Sequence, residues 1–122
     1  MRLYFWARCD TCRAAQRLIA GATVEERDFF RQRFSQDEME ELAAMAGGVR
    51  RIFSSSSPSF RKLGRKADDL TEEEMLRLML EEPRLVRRPL LWDGSRLQVG
   101  LAEIVAAQET AAGTSSKRTT TP

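Results

Sequence analysis

The stretch from Leu3 to Gly21 constrains this chain more than any other. Leu3-Tyr4-Phe5-Trp6 is a short, aromatic-rich apolar run with the character of a buried strand. Cys9-Asp10-Thr11-Cys12 follows almost at once. The next residues, Arg13-Ala14-Ala15-Gln16-Arg17-Leu18-Ile19-Ala20, are good helix formers that stop at Gly21. Both cysteines are therefore expected on a strand-to-helix turn, Cys9 near the helix N-cap and Cys12 in the first turn. Free backbone N–H groups and the positive end of the helix dipole meet at such a turn and favour an anion. A thiolate is one, and a helix N-terminus can lower a cysteine pKa from ~8.5 to roughly 3.5–7.5. Cys9 is the expected reactive thiol.

The rest of the composition narrows the chemistry. None of the 122 residues is a histidine, which removes Cys-His and Ser-His-Asp catalysis and the usual zinc ligand sets. An acid or base must then be a carboxylate, a lysine, a cysteine, the single tyrosine or a water. The net charge of +2 balances 20 basic against 18 acidic residues, a mixed surface without a global basic field, so direct nucleic-acid binding is not expected. No apolar run approaches the ~18–20 residues that span a bilayer, so no membrane role is expected. The chain reads as cytoplasmic, where a C-x-x-C is more often catalytic or redox-sensing than structural.

Along the chain, residues 23–30 are expected to form a second strand, parallel to the first across a βαβ unit. Ser35-Gln36-Asp37-Glu38 is a capping box, followed at helical spacing by Met39, Leu42, Ala43 and Ala46 and ended by Gly47-Gly48. Val49 to Phe53 is expected to add a helical turn, Ser54 to Ser59 a polar loop, and Phe60 and Leu63 apolar anchors. Thr71 and Glu74 repeat the capping logic, with Leu70 as a hydrophobic staple. Met75, Leu76, Met79 and Leu80 form an apolar face up to Pro83, with the methionines as core filler. Leu90-Leu91-Trp92, Asp93-Gly94 and Arg96-Leu97-Gln98-Val99 read as a hairpin, and Leu101 to about Ala112 as a last helix. The order is that of an α/β, thioredoxin-like fold: a four-stranded mixed sheet with an α-helical insert, about 33–84, between βαβ and ββα halves. A single domain over 1–112 and a disordered tail over 113–122 are expected.

Three stretches carry a likeness. They are Arg8-Cys9-Asp10-Thr11-Cys12-Arg13-Ala14-Ala15, then Phe60-Arg61-Lys62-Leu63-Gly64, then Leu85-Val86-Arg87-Arg88-Pro89-Leu90-Leu91 with Arg96-Leu97-Gln98-Val99-Gly100. On these the chain resembles the ArsC-type arsenate reductase family, including its Spx-type branch of redox-sensing transcription regulators, over residues 1 to about 108. The resemblance implies that Cys9 is the nucleophile, that Arg13 and Arg88 hold an oxyanion, and that Pro89 is a cis proline facing the active cysteine. It also implies glutathione or a thioredoxin-type protein as reductant, with no bound cofactor and no metal.

Two departures bear on substrate. Where the reductases carry a second arginine, this chain has Ser54-Ser55-Ser56-Ser57, and a third anion-binding arginine falls at Val99. A dedicated arsenate pocket is therefore not expected. Cys12, by contrast, matches the C-x-x-C of the Spx-type branch, where a glycine at the position of Gly48 belongs to the surface that docks on RNA polymerase. Gly48 also has a plain reading as a helix C-cap.

For the cysteine pair, a structural disulfide closing so short a loop would constrain little chain. Half of a zinc site shared across a dimer, or two buried spectator thiols, would also account for the pair. The favoured reading is redox chemistry. Cys9 as thiolate attacks an oxidised sulfur or an oxyanion, and Cys12 resolves the intermediate into an internal disulfide. Arg13 and Arg88 hold the negative charge, Thr11 donates to the Cys9 sulfur, and Asp10 tempers thiolate formation. The expected function is thus a thiol–disulfide oxidoreductase acting on a small thiol, disulfide or oxyanion. The alternative is an Spx-type regulator, docking through 35–46 and 47–57 on RNA polymerase.

Overall fold

The computed structural model describes residues 1–120, with side chains described for residues 1–110. Four strands form one sheet in the order β2-β1-β3-β4: β1 (Arg2–Phe5), β2 (Glu25–Asp28), β3 (Leu90–Trp92) and β4 (Leu97–Val99). β1 and β2 are parallel, while β3 pairs antiparallel with both β1 and β4. α1 (Asp10–Leu18) makes the first crossover. Between β2 and β3 lie α2 (Gln36–Ala46), α3 (Val49–Ile52), α4 (Pro58–Arg61) and α5 (Glu72–Glu81), and α6 (Leu101–Thr120) closes the chain. This is the thioredoxin-like arrangement that the sequence pattern leads one to expect.

Alternation along the strands divides the interior. Leu3 and Leu91, opposite each other on β1 and β3, pack with Ala15 and Ile19 of the first crossover and Ile104 of α6. Tyr4, Leu90, Leu97 and Val99 point the other way, into a larger core with Met39, Leu42, Phe60, Met75 and Met79 of the insert. The methionines are filler, as their helical spacing suggests; Met75 and Met79 are each 1% exposed.

Both capping boxes form. The Ser35 hydroxyl accepts from the Glu38 amide and the Glu38 carboxylate accepts from the Ser35 amide, and Thr71 and Glu74 do the same for α5. Gly47 ends α2 with φ of 90°, a left-handed position that suits glycine. Glu38 has a second task. Arg27 of β2 donates to both of its carboxylate oxygens, at 2.6 and 3.1 Å, and to the backbone carbonyls of Gln32 and Arg33. The guanidinium also lies 4.8 Å from the centre of the Phe34 ring. One arginine therefore ties the edge strand to the entry of the insert.

Several boundaries differ from the sequence reading. β2 covers four residues, because Phe29 turns into the core instead of extending the strand. β1 stops at Phe5 and leaves Trp6 outside the sheet. In the β3–β4 hairpin the Asp93 amide donates to the Arg96 carbonyl, so Gly94 and Ser95 are the central residues. The Asp93 carboxylate accepts from the amides of Ser95 and Arg96, which turns the chain one residue later than expected. Leu63 is not an anchor. It is 42% exposed, in a turn beyond α4, whereas Phe60 is buried edge-on against Phe53. α6 has bounds beyond the end expected near Ala112, and the expected tail over 113–122 lies outside the residues described with side chains.

The Arg27 pair and the Ser35 amide hold the Glu38 carboxyl down, to about 2 from an ordinary 4.5. A carboxyl depressed by folding stabilises the fold above its unfolded pKa, and that stability is lost as pH falls toward the folded value. Stability measured by urea denaturation should therefore drop as pH falls from about 4.5 to about 2. Glu38→Gln should flatten that part of the profile.

Candidate active site

α1 begins directly after Cys9, which is the N-cap with extended backbone and no side-chain cap of its own. Cys12, one helical turn on, is fully buried together with Ala15, so the first crossover docks on the sheet through the side that Cys12 starts. Cys9 stands on the same side but beyond the helix end, half-buried and open to a cleft. The Trp6 amide donates to the Cys12 sulfur at 3.5 Å, and the sulfur of Cys9 lies 3.1 Å from the Thr11 hydroxyl. When Cys9 is a thiolate, only the hydroxyl can donate in that pair.

The two thiols are thereby driven apart. Burial is the largest influence on Cys9 and opposes its ionisation. Hydrogen bonds from Thr11 and from the thiol and amide of Cys12, with the charge of Arg88, outweigh it and hold the thiol below its ordinary value. At Cys12 burial prevails. The Trp6 amide works against it, Cys9 reinforces it, and the Cys12 thiol is pushed up to about 12. The pair thus has one thiol poised to ionise and one held as the neutral thiol.

The cleft is lined by Cys9, Thr11, Ser54, Ser56, Ser57, Pro58, Arg87 and Arg88 and has a volume of about 330 Å³. Its far wall is built by pairing distant in sequence. The Arg87 amide donates to the Ile52 carbonyl and the Ser54 amide to the Leu85 carbonyl, both at 2.7 Å, around an antiparallel bridge of Phe53 with Val86. This short ladder brings the serine loop beside Arg87 and Arg88. Ser57 is also the N-cap of α4, accepting from the Ser59 amide. The Arg88–Pro89 peptide bond is cis and Pro89 is buried.

Of the residues singled out from sequence, Cys9, Thr11 and Arg88 meet in the cleft, with Cys12 beneath them. Arg13 does not line it; its guanidinium is ion-paired with the Asp10 carboxylate on the outside of the first crossover. The pairing also engages the carboxylate expected to temper Cys9. Arg87 is not among the site residues expected from sequence, and Ser54 to Ser57 enter that expectation only as the stretch where the resemblance implies a second arginine. The one available signal was that Arg87 precedes Arg88; nothing local places Ser54 against that segment. Among the described residues no three His, Cys, Asp or Glu side chains gather as a metal site, and no helix is long and apolar enough to cross a membrane.

The model of the ArsC family matches residues 4–106. Global transcriptional regulator Spx of Listeria innocua is 35% identical over 104 residues, 83% of this chain and 79% of that protein. Regulatory protein MgsR of Bacillus subtilis is 28% identical over 103 residues, 82% of each chain. Among solved structures, the YFFB protein superposes with a TM-score of 0.76 at 27% identity, over 87% of this chain and 95% of that one.

The site's geometry sets an order of reactivity. At pH 7 an alkylating reagent should modify Cys9 at least about a hundredfold faster than Cys12, read by mass spectrometry of the two labelled positions. Thr11→Val removes the donor to the thiolate and should slow Cys9 alkylation roughly threefold to tenfold at the same pH.

Proposed function

The chain belongs to the ArsC family, and we propose that within it this protein is a thiol–disulfide oxidoreductase working through Cys9 and Cys12 rather than a dedicated arsenate reductase. The observation that carries this reading is the asymmetry of the pair: Cys9 half-buried and held below its ordinary pKa, Cys12 sealed beneath it and pushed up to about 12. A dithiol so arranged has one sulfur to attack and one to resolve.

The steps balance as a two-electron exchange. The Cys9 thiolate attacks one sulfur of a disulfide, forming a mixed disulfide and releasing the other sulfur as a thiolate. Cys12 then loses its proton to the leaving thiolate or to water and attacks the Cys9 sulfur. The second substrate thiol leaves, and Cys9–Cys12 is oxidised. Two molecules of glutathione, which leave as glutathione disulfide, or one thioredoxin-type dithiol, which leaves as its own disulfide, return the pair to the dithiol. Thr11 and Arg88 stabilise negative charge at Cys9, and Arg87 also lines the cleft, its guanidinium donating to the Arg51 carbonyl. Arg13, tied to Asp10, is left out of this role. The hydroxyls of Ser54, Ser56 and Ser57 supply neutral donors and acceptors around the sulfur and suit a small thiol or disulfide better than a fully charged oxyanion. Such cycling belongs in a reducing compartment such as the cytoplasm.

A second reading has its own support. The relatives Spx and MgsR are named as regulators, and Ser54, Ser56 and Ser57 belong both to the cleft and to the 47–57 loop beside α2. Oxidation at Cys9 would then alter a docking surface for RNA polymerase instead of turning over substrate.

Wild type, Cys9→Ser and Cys12→Ser should be assayed with a small disulfide and with arsenate, using glutathione or thioredoxin as reductant, alongside capture of RNA polymerase by reduced and oxidised protein. The oxidoreductase reading expects multiple turnovers of the disulfide, at least about tenfold faster than of arsenate, abolished by Cys9→Ser. Cys12→Ser should stall as a mixed disulfide. Turnover that survives Cys9→Ser would overturn the nucleophile, and no turnover with capture of RNA polymerase by one redox form would favour the regulator.

A further inference from the structure

Trp6 has no structural task of the ordinary kind. It lies beyond the end of β1 and packs into neither of the two apolar cores. Its indole instead stacks on the Phe30 ring, with centroids 4.2 Å apart and planes within 10° of parallel. The guanidinium of Arg88 lies 5.4 Å from the centre of the Trp6 ring and 5.5 Å from that of Phe30, so it packs beside the stack, against both rings at once. Arg84 approaches the same indole at 5.5 Å, and its carbonyl, with that of Val86, accepts from Nη1 of Arg88 at 3.2 and 3.1 Å. The backbone of Trp6 meanwhile donates to the Cys12 sulfur.

The way Arg88 is held matters more than that it is held. An arginine in a protein is most often fixed by a carboxylate, whose charge cancels its own. Among the described residues Arg88 has no carboxylate partner. Aromatic rings and carbonyl oxygens pack around a guanidinium while leaving it a net cation. Its Nη1 donates to two carbonyls and its Nε is buried with no hydrogen-bond partner, so nothing in the clamp carries a negative charge that would cancel its own. The carboxylate nearest in the chain to the stack, Asp28, accepts from the amides of Ala7 and Phe30.

We propose that Trp6, stacked on Phe30, is a positioning residue that holds the un-neutralised Arg88 guanidinium beside the Cys9 sulfur. This rests on Cys9 being the reactive thiol, and it adds a residue that acts on that thiol only through Arg88. Sequence pattern assigned Trp6 to the first strand, where an aromatic would be core. The structure gives it a charge to hold instead.

The test is the pH dependence of Cys9 alkylation in the reduced protein. Cys9 is the group that titrates across the measured range. Its neighbours are Cys12, Thr11, Arg87 and Arg88, with the Asp10–Arg13 pair at the helix start and Asp28 under the stack. Trp6→Ala should raise the midpoint by about half a unit, roughly threefold less thiolate below it. Arg88→Met should raise it at least as much. The double variant should match Arg88→Met alone, because Trp6 has nothing left to position. Trp6→Phe, which keeps a ring face, should stay near wild type. Additive shifts in the double variant would overturn the proposal, as would an unmoved midpoint in Trp6→Ala or a Trp6→Phe that behaves like Trp6→Ala. These midpoints need no turnover. A protein that reduces no disulfide but shows this pattern keeps the clamp and loses only the proposed activity.

Discussion

The burial of Cys12 is the constraint on which the rest of this molecule depends. Cys12, Ala15 and Ile19 fall at helical spacing and form the face through which the first crossover meets the interior. Because that face starts at Cys12, the position one turn earlier stands at the open end of the helix, and the sequence places a second cysteine there. One sulfur is enclosed and the other, beside the Thr11 hydroxyl, opens on a cleft. The difference in ionisation follows from packing. Burial dominates at Cys12, whereas at Cys9 it is outweighed by Thr11, by Cys12 and by the charge of Arg88.

Features written in local sequence were legible. The strand–turn–helix around the cysteines, both capping boxes and the methionine-rich face of α5 depend on residues within a turn or two of one another, and they stand where the pattern put them; the hairpin also forms, with its turn one residue later. The departures have separate physical origins. Ser54 meets the Arg87–Arg88 segment only because Ile52 to Ser54 pairs with Leu85 to Arg87 across some thirty residues, a contact with no periodicity to announce it. Arg13 was expected at the sulfur because it follows the motif. In an α-helix it comes instead within reach of Asp10, three residues back, and the two neutralise each other at the surface. Leu63 lies beyond the last turn of α4, so the spacing that buries Phe60 does not carry it inward.

The serine loop forms the wall of the cleft that the insert contributes. Cys9, Thr11, Arg87 and Arg88 face small neutral side chains there, those of Ser54, Ser56 and Ser57. In the proposed oxidoreductase the Cys9 thiolate is the negative charge this site has to stabilise. Its counter-charge is an arginine held by aromatic rings and carbonyls, which gives the sulfur an electrostatic partner without a neutralising carboxylate.

The central claim is that this fold makes Cys9 and Cys12 a reversible two-electron couple. It is tested most directly by equilibrating the protein across glutathione or dithiothreitol redox buffers and counting free thiols by mass spectrometry. The account predicts one two-electron transition, with a midpoint in the range of roughly −120 to −270 mV spanned by C-x-x-C oxidoreductases. It also predicts that both Cys9→Ser and Cys12→Ser abolish that transition. Thiols that stay free in the most oxidising buffer, or that oxidise only into intermolecular disulfides, would contradict it.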